Sequence, residues 1–327
     1  MKKRILSGIQ STGQIHLGNY FGAVKNWVAL QQEYDSYYMI ADLHALTSAY
    51  EDSVNLKSNT YEMVADLIAC GIDPEKSTLF VQSCVPEHSE LHLIFSMITP
   101  LPWLERVPTY KSKKEEMKDK DLNTYGFLGY PVLQAADIML YLADLVPVGK
   151  DQAPHLELTR EIVRRFNFLF KSEYFKEPQE KFTEFPVITG TDGRKMSKSY
   201  GNAIYFADSD EVIKDKIMKM FTDEQRLRRS DPGRPDVCAL YPFQEIFSPQ
   251  EKDQIAKDCK KALIGCVDCK KLLLPKLQEF ISPIRTKRQE LLSNKRLLDN
   301  IIEKGTQKAR KVAQSTLKEV KKIVGLY

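Results

Sequence analysis

Lys195-Met196-Ser197-Lys198-Ser199 is the stretch whose residue types most directly suggest chemistry. Arg194 precedes it, so three cations fall within positions 194–198, and no acid interrupts them. Thr191-Asp192-Gly193-Arg194 leads in and Tyr200-Gly201-Asn202 closes the loop. Such a loop suits a polyanion and a motion that closes on it. A solvated basic turn has the same composition, so the loop needs support from the rest of the chain.

Three other groups carry chemical potential. Near the start, Arg4–Ile9 reads as a short buried strand. Gln10-Ser11-Thr12-Gly13-Gln14-Ile15-His16-Leu17-Gly18-Asn19 follows, leading into a helical pattern from Phe21 to about Gln32. A strand, a Gly/Ser/Thr turn and a helix place phosphate at a helix N-terminus in open α/β sheets. Neither a dinucleotide nor a P-loop fingerprint is present. His16 and Asn19 are short enough to let a nucleotide lie against the helix start, and Gly18 leaves room for its base or ribose. A plain N-cap explains the same residues. Further on, Tyr130, Gln134 and Asp137 share one helix face at i, i+4 and i+7. An acceptor-only carboxylate on an otherwise apolar helix needs a donor, from a ligand N–H or O–H or from a structural partner. The third group is Cys238, Cys259, Cys266 and Cys269, with 20, 6 and 2 residues between them. Four thiolates with a C-x₂-C suit a 4Fe–4S cluster or zinc, and unliganded cysteines remain open. Lys260, Lys261, Lys270 and Lys271 flank the set and would offset thiolate charge.

The elements that must position these groups alternate. Tyr37–Asp42 is a second strand, with His44 just past its end, where open sheets carry polar site residues or where a histidine simply sits in the core. A helix over 53–70 and a third strand, Thr78–Ser83, follow, then a helix from His88 to Thr99. The mixed-sign run Lys111–Asp121 reads as a solvated loop. Val146–Gln152 is a fourth strand closing in Gly149-Lys150-Asp151-Gln152, where Asp151 would accept ribose hydroxyls. Phe185–Ile188 is a short fifth strand running directly into the basic loop. Beyond it the pattern is helical to the end. The β-α-β-α-β alternation predicts a Rossmann-like, doubly wound parallel sheet with helices on both faces, over 1–205. An all-helical domain over 206–327 follows.

The totals exclude some classes. With 327 residues, 43% apolar and 28% charged, the chain can bury a full core. No run of 18 apolar residues exists, so no membrane span is expected. The N-terminus reads as a strand, and six cysteines without a secretion signal point to reduced thiols or a metal site in the cytoplasm. Cys70 and Cys84 read as buried small hydrophobes. The net charge of +4 is mild, but residues 285–327 hold 12 Lys and Arg against 4 Asp and Glu. That helical terminus suits a phosphate backbone or a solvated face.

Taken in order, Gln10–Gly13, His16–Asn19, Ala135-Ala136-Asp137-Ile138, Gly149–Gln152 and Lys195–Ser199 resemble the class I aminoacyl-tRNA synthetases. Within them the likeness is to the bacterial tryptophan enzymes, over nearly the full length. Arg229-Ser230-Asp231-Pro232-Gly233 resembles the family's junction into its second domain. The resemblance implies activation of L-tryptophan with ATP and Mg²⁺, then transfer to tRNA(Trp), by a homodimer joined around residues 85–145. It implies that Lys195 and Lys198 grip the leaving pyrophosphate, with Met196, Ser197 and Ser199 beside them. Gln10, Ser11, Thr12, His16, Gly18 and Asn19 would cradle ATP. Gly149, Lys150 and Asp151 would hold its ribose and the backbone at Ile188 its adenine. Asp137 would accept the indole N–H, Tyr130 and Gln152 would orient the amino group, and His44 and Gln134 would line the pocket. The cysteine set resembles that of a subset of these enzymes carrying a 4Fe–4S cluster.

Two positions depart from the family pattern. Ser11 stands where proline is usual, and Gln134 where many members have methionine. The second change resembles the tyrosine enzymes, whose substrate is the alternative. A non-catalytic nucleotide- or RNA-binding module on the same fold is a third reading, opposed by the paired lysines beside an intact Asp137.

Overall fold

The computed structural model describes residues 2–107, 122–149, 153–182 and 188–327. The charged run 111–121, the turn residues Lys150, Asp151 and Gln152, and residues 185–187 lie outside the described residues.

Five parallel strands form the sheet: β1 Arg4–Ile9, β2 Asp35–Ile40, β3 Thr78–Val81, β4 Leu145–Val148 and β5 Gln179–Phe182. Their order is β3-β2-β1-β4-β5. The winding direction therefore reverses between β1 and β4, which pair through Ile5 and Leu145. That reversal opens a crevice at the strands' carboxyl ends, where open sheets bind ligands. β3 is buried along its whole length and β2 at all but its first residue, as expected when helices cover both faces of a parallel sheet. The doubly wound α/β architecture is present.

The fifth strand is not where the apolar pattern placed it. β5 is the charged segment Gln179–Phe182, with both ends exposed. An edge strand has one ladder and one solvated side, so it needs no apolar run. Ile188 is buried but belongs to no strand, and the adjoining Thr189 forms an isolated antiparallel bridge with Lys195.

The first helix is three pieces: α1 Leu17–Asn19, a π-helical turn Tyr20–Val24, and α2 Lys25–Glu33. Asp42 opens α3, Asp42–Ala49, rather than ending a strand. Then come α4 Leu56–Ala69, α5 Glu87–Ile98, α6 Leu101–Glu105, α7 Tyr125–Leu140 and α8 Ala153–Leu169. After β5 no strand occurs among the described residues. The helices are α9 Asp210–Lys219, α10 Tyr241–Phe247, α11 Lys252–Lys260, α12 Cys266–Ser293 and α13 Lys295–Val324. No helix among the described residues is long and apolar enough to cross a membrane.

The last two helices close back onto the sheet. Gly305, Ala309, Ala313 and Leu317 recur every fourth residue on α13, so one narrow ridge of mostly small side chains faces inward. Gly305 lies so close to Leu79 that a Cβ there would overlap the Leu79 carbonyl. Ala309, Ala313, Leu317 and Val320 share a core with Phe80 of β3 and Leu91 of α5. On α12, Arg288 Nη2 bonds Glu62 at 2.9 Å, and its Nε bonds the buried Asp66 of α4.

Candidate active site

A cavity of about 300 Å³ opens at the switch point, lined by Gly8 near the end of β1, Gln10 just after it, and Val148 and Gly149 at the end of β4. That is the small end of the range for ligand pockets, about 300–1,000 Å³. Its far wall carries Tyr130, Gln134 and Asp137, which the helical spacing on α7 had put on one face, and His44 from α3. His155 of α8 lines it too, with Nε2 3.2 Å from the Tyr130 hydroxyl.

Asp137 is fully buried and has several protein partners. His44 Nε2 lies 2.7 Å from Oδ2, and His88 Nδ1 lies 2.6 Å from Oδ1. Gln82 Nε2 donates to Oδ1 at 2.8 Å. Burial alone would raise this carboxyl, but the bonds from His44 and then His88 outweigh it and hold it well below the usual range. The carboxylate therefore stays ionised inside an apolar helix. Of these partners only His44 had been singled out. His88 and Gln82 sit where a strand and a helix meet, 49 and 55 residues from Asp137 in sequence, and nothing local distinguishes them from core residues.

The first turn and the basic loop lie against each other. His16 caps α1: its Nδ1 accepts the Asn19 N–H at 3.2 Å, while Asn19 Oδ1 accepts the His16 N–H at 3.3 Å. Burial, then Lys198, lowers His16 to about 4, so its ring is neutral at pH 7. Asp66 Oδ2 accepts the Ile15 N–H at 2.7 Å and so ties this turn to α4 and, through Arg288, to α12. Ser11 is buried, and its hydroxyl has no partner among the described residues; Thr12 is exposed.

Met196 is buried and accepts the Gly18 N–H on Sδ at 3.3 Å, which anchors the basic loop to α1. A Cβ at Gly18 would lie 3.0 Å from His16 ring atoms and 3.1 Å from Met196 Cβ, so glycine permits this contact. Asn202, also buried, organises the loop: its Oδ1 accepts the Ser197 N–H at 2.8 Å and its Nδ2 donates to Asp192 at 2.7 Å and to the Lys195 carbonyl at 3.1 Å. Lys195 and Ser199 are exposed, while Lys198 is half-buried and points at the first turn, 3.7 Å from where a Gly13 Cβ would be. Burial brings Lys198 down to about 8, against the upward pull of Asp66 and Glu62. Asn202 and Asp66 were not singled out in the sequence. Asp66 had a readable signal, a carboxylate inside Val64-Ala65-Asp66-Leu67-Ile68, the same anomaly that marked Asp137.

The four late cysteines come from two helices and the end of a 3₁₀ turn. Cys238 follows a 3₁₀ turn, Cys259 lies in α11, and Cys266 and Cys269 form the first turn of α12. Each is partly buried. Arg226 Nη1 lies 3.7 Å from Cys259 Sγ and 3.8 Å from Cys266 Sγ, and Gln244 Nε2 donates to Cys269 Sγ at 3.3 Å. Burial raises Cys269 to about 11 and also raises Cys238 and Cys259, with the neighbouring sulfurs adding to it. Among the described residues no three His, Cys, Asp or Glu side chains are placed to hold one metal ion. Lys270 bonds the carbonyls of Met218 and Met220 at 2.9 and 2.7 Å at the end of α9, and from there its charge also reaches Cys266, Cys238 and Cys269. Cys70 is buried as expected, but Cys84 is exposed, because the 3₁₀ turn after β3 carries it to the surface.

Residues 1–282 match the family described as tRNA synthetases class I (W and Y). A tryptophan–tRNA ligase of Thermotoga maritima is 50% identical over 326 residues, covering 99% of each chain. One from Aquifex aeolicus is 42% identical, covering 99% of this chain and 100% of its own. Among solved structures, a tryptophanyl-tRNA synthetase from Campylobacter jejuni complexed with ADP and tryptophan superposes with a TM-score of 0.89 at 36% identity, covering 99% of this chain and 100% of that one. With its crevice, its paired-lysine loop and these end-to-end relatives, the chain belongs to the class I tRNA synthetases for tryptophan and tyrosine, among the bacterial tryptophan enzymes.

Proposed function

We propose that the chain acts as a tryptophan–tRNA ligase: it joins L-tryptophan to ATP as an adenylate, releasing pyrophosphate, and passes tryptophan to the 3′ end of its tRNA. The observation that carries this reading is the cavity, with an ionised Asp137 at its closed end and the Gln10 turn and Gly149 at its mouth. The indole N–H would donate to Asp137 while Tyr130 and Gln134 line the side of the ring. The substrate carboxylate is already an anion at pH 7, so its attack on the α-phosphate needs no general base. What remains is positioning and charge stabilisation. Lys198 already points at the Gly13 turn, and Lys195 is free to swing in from solvent. Together they would neutralise the departing pyrophosphate, with Mg²⁺ carried on the nucleotide's phosphates. Gln10, Ser11, Thr12, Gly18 and Asn19 would cradle ATP, and the partnerless Ser11 hydroxyl supports that placement. His16 would act through its cap on Asn19. Gly149, Lys150, Asp151 and Ile188 would hold the nucleoside, and Gln152 the substrate amine. The basic stretch of α12 and α13 within residues 206–327 would meet tRNA.

ATP–pyrophosphate exchange tests this reading. Exchange should depend on tryptophan, and purified tRNA should then become aminoacylated. Exchange with tyrosine alone, which Gln134 in the cavity wall would favour, would move the substrate assignment. No exchange with any amino acid would leave only a binding module.

Two finer features belong to the same reading. Leu93, Met97, Leu101 and Tyr125 of α5, α6 and α7 are exposed apolar residues, Met97 at 75% and Tyr125 at 64%, which supports a homodimer joined through this region. By donor type the thiols of Cys238, Cys259, Cys266 and Cys269, with the Arg226 cation against two of them, suit a 4Fe–4S cluster or zinc, which would have to draw them together, since as placed no three surround one ion. Native mass spectrometry of anaerobically purified protein reads both. A dimer mass with iron and sulfide is expected; a monomer mass would remove the first, and metal-free protein the second.

A further inference from the structure

A carboxylate has about four acceptor places, two on each oxygen. On Asp137 three are taken. Oδ1 receives His88 Nδ1 at 2.6 Å and Gln82 Nε2 at 2.8 Å, which fills it. Among the described residues Oδ2 receives only His44 Nε2, at 2.7 Å. His44 lines the cavity, whereas His88 and Gln82 lie behind it, so the oxygen with a vacant place is the one on the cavity side. We infer that His88 is a positioning residue for substrate selection: with Gln82 and Tyr141 it saturates and orients the rear of Asp137, leaving one forward acceptor place for a single ligand N–H. This deepens the proposed function and rests on it.

The tautomer is fixed from behind. His88 is wholly buried, and both its ring nitrogens are engaged. Nδ1 faces an acceptor-only carboxylate and must carry the proton. Nε2 lies 2.8 Å from the Tyr141 hydroxyl, which donates to it. Burial holds Tyr141 well above its ordinary value, so the O–H persists at any working pH. Phe80 stacks against the His88 ring, with centroids 6.0 Å apart and planes 23° off parallel. The titratable groups around Asp137 are His44 from α3, His88 and His92 from α5, and Tyr141 after α7, with Tyr37 and Glu87 beyond Tyr141. No Lys or Arg pairs with Asp137 among the described residues, so its ionisation rests on its bonds and electrostatic contacts with His44 and His88, and losing one lets burial raise the carboxyl. The acceptor would then be lost as pH falls through the raised value, whereas the native site stays ionised.

The test uses the full chain in ATP–pyrophosphate exchange from pH 5 to pH 8, with thermal melting as a check on folding. His88→Leu should raise the tryptophan KM about tenfold at pH 7 and further as pH falls, with the ATP KM within about twofold of native. His88→Asn, whose amide can stand in for Nδ1–H, should recover most of that loss. Preference for tryptophan over its benzothiophene analogue, which lacks the N–H, should shrink in His88→Leu. If that protein does not fold, Tyr141→Phe replaces it and should show the same pH-dependent rise at smaller size. An unchanged tryptophan KM, tryptophan and ATP KM values rising together, or a loss that is flat with pH would each overturn the inference. Absence of tryptophan-dependent exchange in the native chain would instead overturn the proposed function.

Discussion

At the residue scale the two lysines of the basic loop are not equivalent. Lys195 is exposed, while Lys198 sits among the first turn with burial lowering it to about 8. Only the ammonium form can meet phosphate, and kcat/KM reports the free enzyme. The value of kcat/KM for ATP is therefore expected to fall as pH rises through about 8. Lys198→Arg, with its cation fixed to far higher pH, should remove that break. A profile flat to pH 9.5 in the native chain would show that Lys198 does not carry the charge. The lysines were legible because three cations in five positions is a composition anyone can count. Asp137 was legible because a carboxylate on an apolar helix is an anomaly. His88, Gln82 and Asn202 were not, because a lone polar residue at an element's edge declares its partner only when distant segments meet.

At the scale of elements, the loop and the first helix act as one piece through Met196 and Gly18. Sequence spacing placed His16, Gly18 and Asn19 at a helix start, but not Met196 against them, since 178 residues separate the bonded pair. Gly18→Ala would push a methyl into the His16 ring and Met196. The expected result is an ATP KM higher by about tenfold, as misplacement of a positioning loop produces, with tryptophan KM little changed. Equal changes in both would point to general damage instead. The strands show a different limit. β2 and β3, covered on both faces, announced themselves as apolar runs, whereas β5, a charged edge, gave no such run. The π-helical turn at Tyr20–Val24 was likewise invisible, because its side chains keep a helical apolar pattern.

At the scale of the molecule, the sheet and the late helices share their interiors. One core joins Phe21 and Val64 to Leu277 and Ile281, and the other joins Phe80 and Leu91 to Ala309 and Leu317. The bonds from Arg288 to Asp66 and Glu62 cross the same junction. Burial holds Asp66 up at about 6, even against the pull of Arg288 and the Ile15 N–H. Removing one partner of a buried ion pair costs about 3–5 kcal/mol. Arg288→Ala is expected to lower stability by that order at pH 8. The loss should be smaller at pH 5, where Asp66 takes up a proton in the folded state and sheds the unpaired charge. Denaturant titration at the two pH values reads both, and equal losses would mean that Asp66 stays charged. The native chain should melt in one calorimetric transition rather than two. The seat of Gly305 on Leu79 carries this into heredity. A segment exchanged between related genes with its breakpoint near residue 206 would join a ridge from one lineage to a strand from another. Since a single added methyl at 305 meets the backbone of β3, such hybrids should fold only when the parent supplying the C-terminal half carries glycine there.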